Sequence, residues 1–262
     1  MTIFKHEWRQ ARLSFALWTG AMASLLFICM MIFPEMKEEM EDVNRIFSAM
    51  GAFTAAFGMD KLNFGEAMGF YGIECGNIVG MGGALLAALT GISALSSEEK
   101  NHTAEFLLTH PVSRSRIVAQ KLLAVMTLLL ACNVVLVFVA SGSFVLIGET
   151  LKWKEFLLLH LAYLLLEVEI AAICFGISAF LKRGGPGIGI GLAVVFYFLN
   201  LIANISGSAE FLQYLTPFGY AEASEIMENG SLNPLLVGIG LAVTACGIAA
   251  AFWKYGRKDI SA

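Results

Sequence analysis

Charge is what this sequence has least of. Asp, Glu, Lys and Arg make up 15% of its 262 residues, against roughly 25% in a soluble domain. The few charges are also segregated, standing in short stretches between long apolar runs. Hydrophobic residues account for 58% of the chain and the mean hydropathy is +0.73. That pattern suits a bilayer as solvent and not a large aqueous core. No polybasic arm or basic face points to nucleic acid. The net charge of −4 says little, because distribution matters more than the total.

Catalytic signatures are missing as well. There is no G-x-x-x-x-G-K-[ST] and no Gly-Lys pair anywhere, so nothing cradles ATP phosphates as a P-loop does. If ATP drives this protein, another polypeptide binds it. The absence of HExxH and GxSxG argues against a membrane zinc protease or a serine hydrolase. The five cysteines fall inside apolar runs without a CxxC spacing. They read as small buried hydrophobes, not as a disulfide or zinc site.

What is present is six apolar runs long enough to cross the roughly 30 Å hydrocarbon core as helices. They cover about residues 13–33, 67–95, 122–148, 156–181, 187–205 and 235–253. The first follows Lys5, Arg9 and Arg12 like a signal peptide. It exceeds a typical apolar signal region, and no cleavage-like stretch follows, so it reads as an uncleaved first span. With the N-terminus in the cytosol, the inside segments hold 12 of the 17 Lys and Arg residues and the outside segments hold 5. The positive-inside rule therefore places both termini in the cytosol. The expected fold is an all-α integral membrane protein, one transmembrane domain over residues 1–262.

Residues 2–12 read as an interfacial helix. Phe4, Trp8 and Ala11 share a face that continues to Phe15, with Lys5, Arg9 and Arg12 elsewhere. Such a stretch lies in the headgroup plane before the chain turns into the bilayer; the simpler alternative is an extension of the first span. The outside loop 34–66 is acidic at its start and then apolar (Ile46, Phe47, Met50, Phe53, Phe57), which suits a short amphipathic helix. The outside loop 206–233 carries four Glu and no Lys or Arg. The pair Gly185-Pro186 breaks the helix between spans four and five.

The loop between spans two and three, residues 96–121, reads SSEEKNHTAEFLLTHPVSRSRIVAQK. Ser96 followed by Glu99 makes a capping box, so a helix is expected to start there. Phe106, Leu107 and Leu108 give it an apolar patch, Pro111 ends it, and Ser113 can cap the next helix. An apolar knob ringed by charge invites a partner. Here the chain resembles the permease subunits of type-2 ATP-binding-cassette exporters, whose corresponding loop reads roughly E-x-x-x-G-T-x-E-x-L-L-x-x-P-[VI]-S-R-x-x-I-x-x-x-K. Glu98, Thr103, Glu105, Leu107, Leu108, Pro111, Val112, Ser113, Arg114, Ile117 and Lys121 match. His102 departs, standing where the family has Gly. The six spans and a TPFGY-like segment, 216–220, agree with the same family.

The resemblance implies a coupling helix that docks on a cytosolic ATPase, with Glu98, Glu105, Phe106, Leu107, Leu108 and Arg114 as its contacts. ATP and Mg would then bind to the ATPase and no cofactor to this chain. A second permease, identical or paralogous, and a bacterial plasma membrane are implied too. The alternative is a loop helix that only packs on its own bundle.

Within the membrane, Gly72, Gly76 and Gly80 recur every four residues in span two. They form a small-residue stripe that suits close helix packing, with a hinge or channel lining as the alternative. Glu167 and Glu169 lie mid-span in the fourth run, roughly 200° apart on a helix. A carboxylate at that depth costs at least ~2.5 kcal/mol and faces a partner or a wet cavity. Either one lines a translocation path, or each bridges helices, with Asn77, Asn133 or Asn200 as partners. Glu74 lies shallower, near water, and His160 reads as structural. Competing functions are an ion-coupled secondary transporter or channel relaying through these Glu residues, and a non-transporting immunity or sensor subunit.

Overall fold

The computed structural model describes residues 2–37, 51–59, 61–100, 112–182 and 185–258. The helices among them are, in chain order, α1 (Thr2–Lys37), α2 (Ala52–Ala56), α3 (Ala67–Ser93), α4 (Ser97–Lys100), α5 (Arg114–Ile147), α6 (Trp153–Ser178), α7 (Pro186–Ile205), α8 (Ala223–Asn229) and α9 (Pro234–Arg257). Among the described residues, α1, α3, α5, α6, α7 and α9 are long and apolar enough to cross a membrane. Each lies on one of the six expected runs, and no strand occurs among the described residues.

At the start of the chain, helix α1 is 36 residues long and unbroken, about 54 Å at 1.5 Å per residue. Residues 2–12 are its first three turns, continuous with the first span. The cause is α5, itself 34 residues long. Phe4 N donates to Gln120 Oε1 at 3.3 Å, and the Trp8 indole donates to Thr127 Oγ1 at 3.0 Å. Phe4, Trp8 and Phe15 do share a face, with ring centroids 6.5 and 5.8 Å apart in succession. At Phe4 and Trp8 that face carries bonds to a second helix.

Helices α3 and α6 are the most buried spans and pack on each other; α5 and α9 flank α6, and α7 lies on α3. Small residues permit the approach. A Cβ on Gly91 of α3 would lie 2.5 Å from the Ala171 carbonyl oxygen of α6, and one on Gly247 of α9 would lie 2.6 Å from that of Ala172. The outward faces carry exposed large apolar side chains such as Leu17, Phe138, Val145 and Trp253, as a lipid solvent allows. The cysteines are free; Cys75, Cys132 and Cys174 are buried as expected, whereas Cys246 is exposed on α9.

Six crossings return the chain to the end where it began. Lys121, near the start of α5, pairs with Glu7 of α1, and Arg114 donates to carbonyls at the end of α9. At the opposite end Lys37 pairs with Glu149 and Lys152 with Glu66. Of the loop expected to rest on the outer leaflet, residues 38–50 lie outside the described residues. Its short helix α2 lies against the end of α7, where Asn204 Nδ2 donates to the Ala56 carbonyl at 3.2 Å.

Candidate functional site

At the end away from the chain termini, the connection from α7 to α9 folds back over the spans. Thr216 Oγ1 donates to the Phe196 carbonyl at 2.8 Å and accepts from Phe218 N. Pro217–Tyr220 then forms a buried 3-10 turn, and α8 follows. Beneath this roof lies a cavity of about 50 Å³ lined by Asn77, Tyr163, Tyr197, Asn200 and Glu222, with Gly72, Gly76 and Gly80 on its α3 wall. That volume holds a few water molecules.

The hydrogen bonds around the cavity cross from helix to helix. Glu222 Oε2 accepts from Asn200 Nδ2 at 3.2 Å and from Asn204 Nδ2 at 3.0 Å. The Tyr197 hydroxyl of α7 donates to Asn77 Oδ1 of α3 at 3.0 Å, and Asn77 Nδ2 donates to the Ile73 carbonyl at 2.7 Å. Ile73 belongs to Tyr71–Cys75, a π-helical turn inside α3; single turns of this kind are frequent at functional sites. Burial holds the Glu222 carboxyl above the usual carboxylate range, while the two Asn donors and Lys61 oppose the shift. The three glycines let other side chains close on α3. Gly72 faces Met227 and Ala223, a Cβ on Gly76 would lie 2.5 Å from the Tyr163 hydroxyl, and Gly80 faces the Tyr163 ring.

At the end carrying the chain termini the chemistry is ionic. Lys121 is fully buried between Glu7, 2.8 Å away, and Glu98. Lys258 pairs with Glu99 at 2.6 Å and donates to the Leu181 carbonyl at 2.6 Å. Arg114 donates to the Lys258 carbonyl at 2.7 Å and to those of Tyr255 and Gly256 at 3.4 Å.

A family model described as ABC-2 family transporter protein matches residues 1–260. The chain belongs to the ABC-2 transporter family. No curated protein matches it. With six spanning helices, this ABC-2 permease is a multi-pass membrane component of an ABC transporter.

The permease keeps its two mid-span carboxylates apart. Glu167 Oε2 accepts from Asn133 Nδ2 of α5 at 2.6 Å, and its other oxygen presses on Gly83 of α3. Glu169 faces the other way, accepting from the Tyr220 hydroxyl at 2.8 Å beside Gly240 of α9. Each bridges elements, and neither lines the cavity. Of the partners considered for them, Asn133 is engaged; Asn77 and Asn200 serve the cavity instead. Glu74 is half-buried in the π-helical turn. His160 Nε2 lies 2.7 Å from the Tyr71 hydroxyl, packed edge-on against Phe156.

Among the loop residues, Glu105, Phe106, Leu107 and Leu108 lie outside the described residues, as does the body of the expected coupling helix. The short helix α4 stands where that helix is expected to start. Ser96 donates back to the Ile92 carbonyl at 3.0 Å, and Glu99 turns to Lys258, so these side chains serve the bundle. Ser113 occupies the cap position of α5 without a capping side-chain bond. Glu98 and Arg114 both point into the permease. The reading from sequence passed over Glu222 and Lys121. The excess of Glu in 206–233 was the only signal for the first; Lys121 stood in the matched loop pattern with no role attached.

Proposed function

We propose that this permease is the membrane half of an ATP-driven exporter whose 96–121 loop docks on a separate cytosolic ATPase that binds ATP and Mg. Two permeases, identical or paralogous, pair with two ATPases in a bacterial plasma membrane. Nucleotide binding swings the spans between inward- and outward-facing states. Family membership over residues 1–260 carries this reading, joined to the loop residues that match the exporter pattern. The loop leaves the bundle at the end that holds both termini, and the segments assigned to that side carry 12 of the 17 Lys and Arg residues, the bias of a cytosolic face.

The translocation path runs through the polar cavity near the outer face, where Glu222, Asn200 and Asn77 offer hydrogen bonds to a passing substrate. Glu167 and Glu169 hold helices together beside it. Docking is tested by co-purifying the permease in detergent with the ATPase encoded beside its gene, with and without Leu107→Asp plus Leu108→Asp. Loss of the ATPase only in the double variant is the expected result. An ATPase that still binds the variant would remove the coupling-helix assignment, and no association at all would remove the ATP-driven reading.

A further inference from the structure

We infer that Lys121 is a positioning residue for coupling, clasping the entry and exit of the 96–121 loop to α1. Glu99, Lys258 and Arg114 extend the clasp to α9. The consequence for transport rests on the docking reading above; the clasp itself does not.

The Lys121 side chain is 0% exposed, and its two carboxylate partners, Glu7 and Glu98, are 19% and 14% exposed. A buried ammonium is tolerated only when paired in this way. Glu98 and Glu99 are neighbours in α4 yet take partners at different helices, Lys121 at the start of α5 and Lys258 past the end of α9. Arg114, at the loop's exit, takes the last carbonyls of α9, which no further helical turn can satisfy. Entry and exit are thus fastened to both ends of the chain. Helices α1 and α9 are among the least buried spans, α1 resting chiefly on α5 and α9 chiefly on α6, so the ion cluster joins two helices that have little direct packing on each other.

Stability alone does not explain ions here. Apolar residues of similar volume often replace a buried ion pair with no loss. What an ion cluster adds is a fixed register between the elements it joins, so that they move as one piece.

Two measurements decide the matter. On the permease alone in detergent, Lys121→Met should speed hydrogen exchange together in residues 2–12, 97–100 and 251–258. Faster exchange confined to the surroundings of position 121 would mean local packing only and overturn the clasp. For coupling, Glu7→Gln, Lys121→Met and Glu98→Gln are combined, which leaves no orphaned charge. Spin labels on Leu13→Cys of α1 and on the exposed native Cys246 of α9 report their separation in the complex with the ATPase. The triple variant should retain the ATPase and lose the separation change produced by MgATP with vanadate; an unaltered change would overturn the inference. Should no ATPase bind even the unmodified permease, the docking reading fails by itself and the exchange measurement still decides the clasp.

Discussion

The two ends of the bundle solve the same problem with different chemistry. Where the chain begins and ends, Lys121, Lys258 and Arg114 are held by Glu7, Glu98, Glu99 and backbone carbonyls. At the other end the ion pairs Lys37–Glu149 and Lys152–Glu66 stand exposed, and Glu222, within the 216–223 segment, is held beside the cavity by the neutral donors of Asn200 and Asn204. Breaking a buried ion pair by removing one partner costs about 3–5 kcal/mol. A neutral hydrogen bond contributes about 1 kcal/mol net. One end is therefore built to stay closed and to move as a piece. The roof at the other end is held by bonds that are each weaker.

The sharpest way to break this comparison is to remove Lys121. Lys121→Ala should destabilise the permease by about 3 kcal/mol, read as a lowered thermal midpoint in detergent. Tyr197→Phe, which deletes only the bond to Asn77, should cost about 1 kcal/mol. Equal losses would erase the distinction between the ends.

Between the ends the contacts are steric. Gly247→Val would drive a side chain into the Ala172 carbonyl and cost about 1–3 kcal/mol. Gly187→Val on α7, where nothing lies within 4 Å, should leave the melting profile unaltered; a loss there would mean that a further chain covers this face.

Tyr220→Phe should cost about 1–2 kcal/mol by taking the hydroxyl from Glu169. Urea titration of the two proteins would check it, and no change would show that Glu169 has water in place of its partner.

The smallest effect is a pH dependence at the roof. Burial raises the Glu222 carboxyl above its usual range, so the fold favours its protonated form. That contribution is complete below the ordinary carboxylate value of about 4.3 and is lost as pH rises through the higher folded value. The thermal midpoint should thus fall, relative to Glu222→Gln, on going from about pH 4 to about pH 8. Parallel curves for the two proteins would show that Glu222 ionises freely and that the roof is wetter than its neutral bonds imply.

Much of the fold was legible in the chain. The six runs of apolar residues became α1, α3, α5, α6, α7 and α9, because a bilayer demands length and hydropathy of each segment separately. The turn of 200° between Glu167 and Glu169 already required them to face different neighbours, and they meet Asn133 and Tyr220. The site was less legible. Glu98 and Arg114 stand in the matched loop pattern and invited assignment to an outside partner, yet both turn inward. Residues 2–12 carry an amphipathic face that suits a headgroup plane, and nothing local announced that Trp8 reaches Thr127 of α5.

The sequence alone determined which segments cross the bilayer, that both chain ends return to one side and that no nucleotide-binding P-loop is present. These follow from local composition and from an even number of crossings. Only the tertiary structure decided that Glu222 joins Asn200 and Asn204 beside the cavity and that Lys121 lies between Glu7 and Glu98. The buried Lys121 has one partner, Glu7, that stands 114 residues away from it in the chain. Which of several carboxylates it meets depends on how the helices pack, a quantity no local pattern carries.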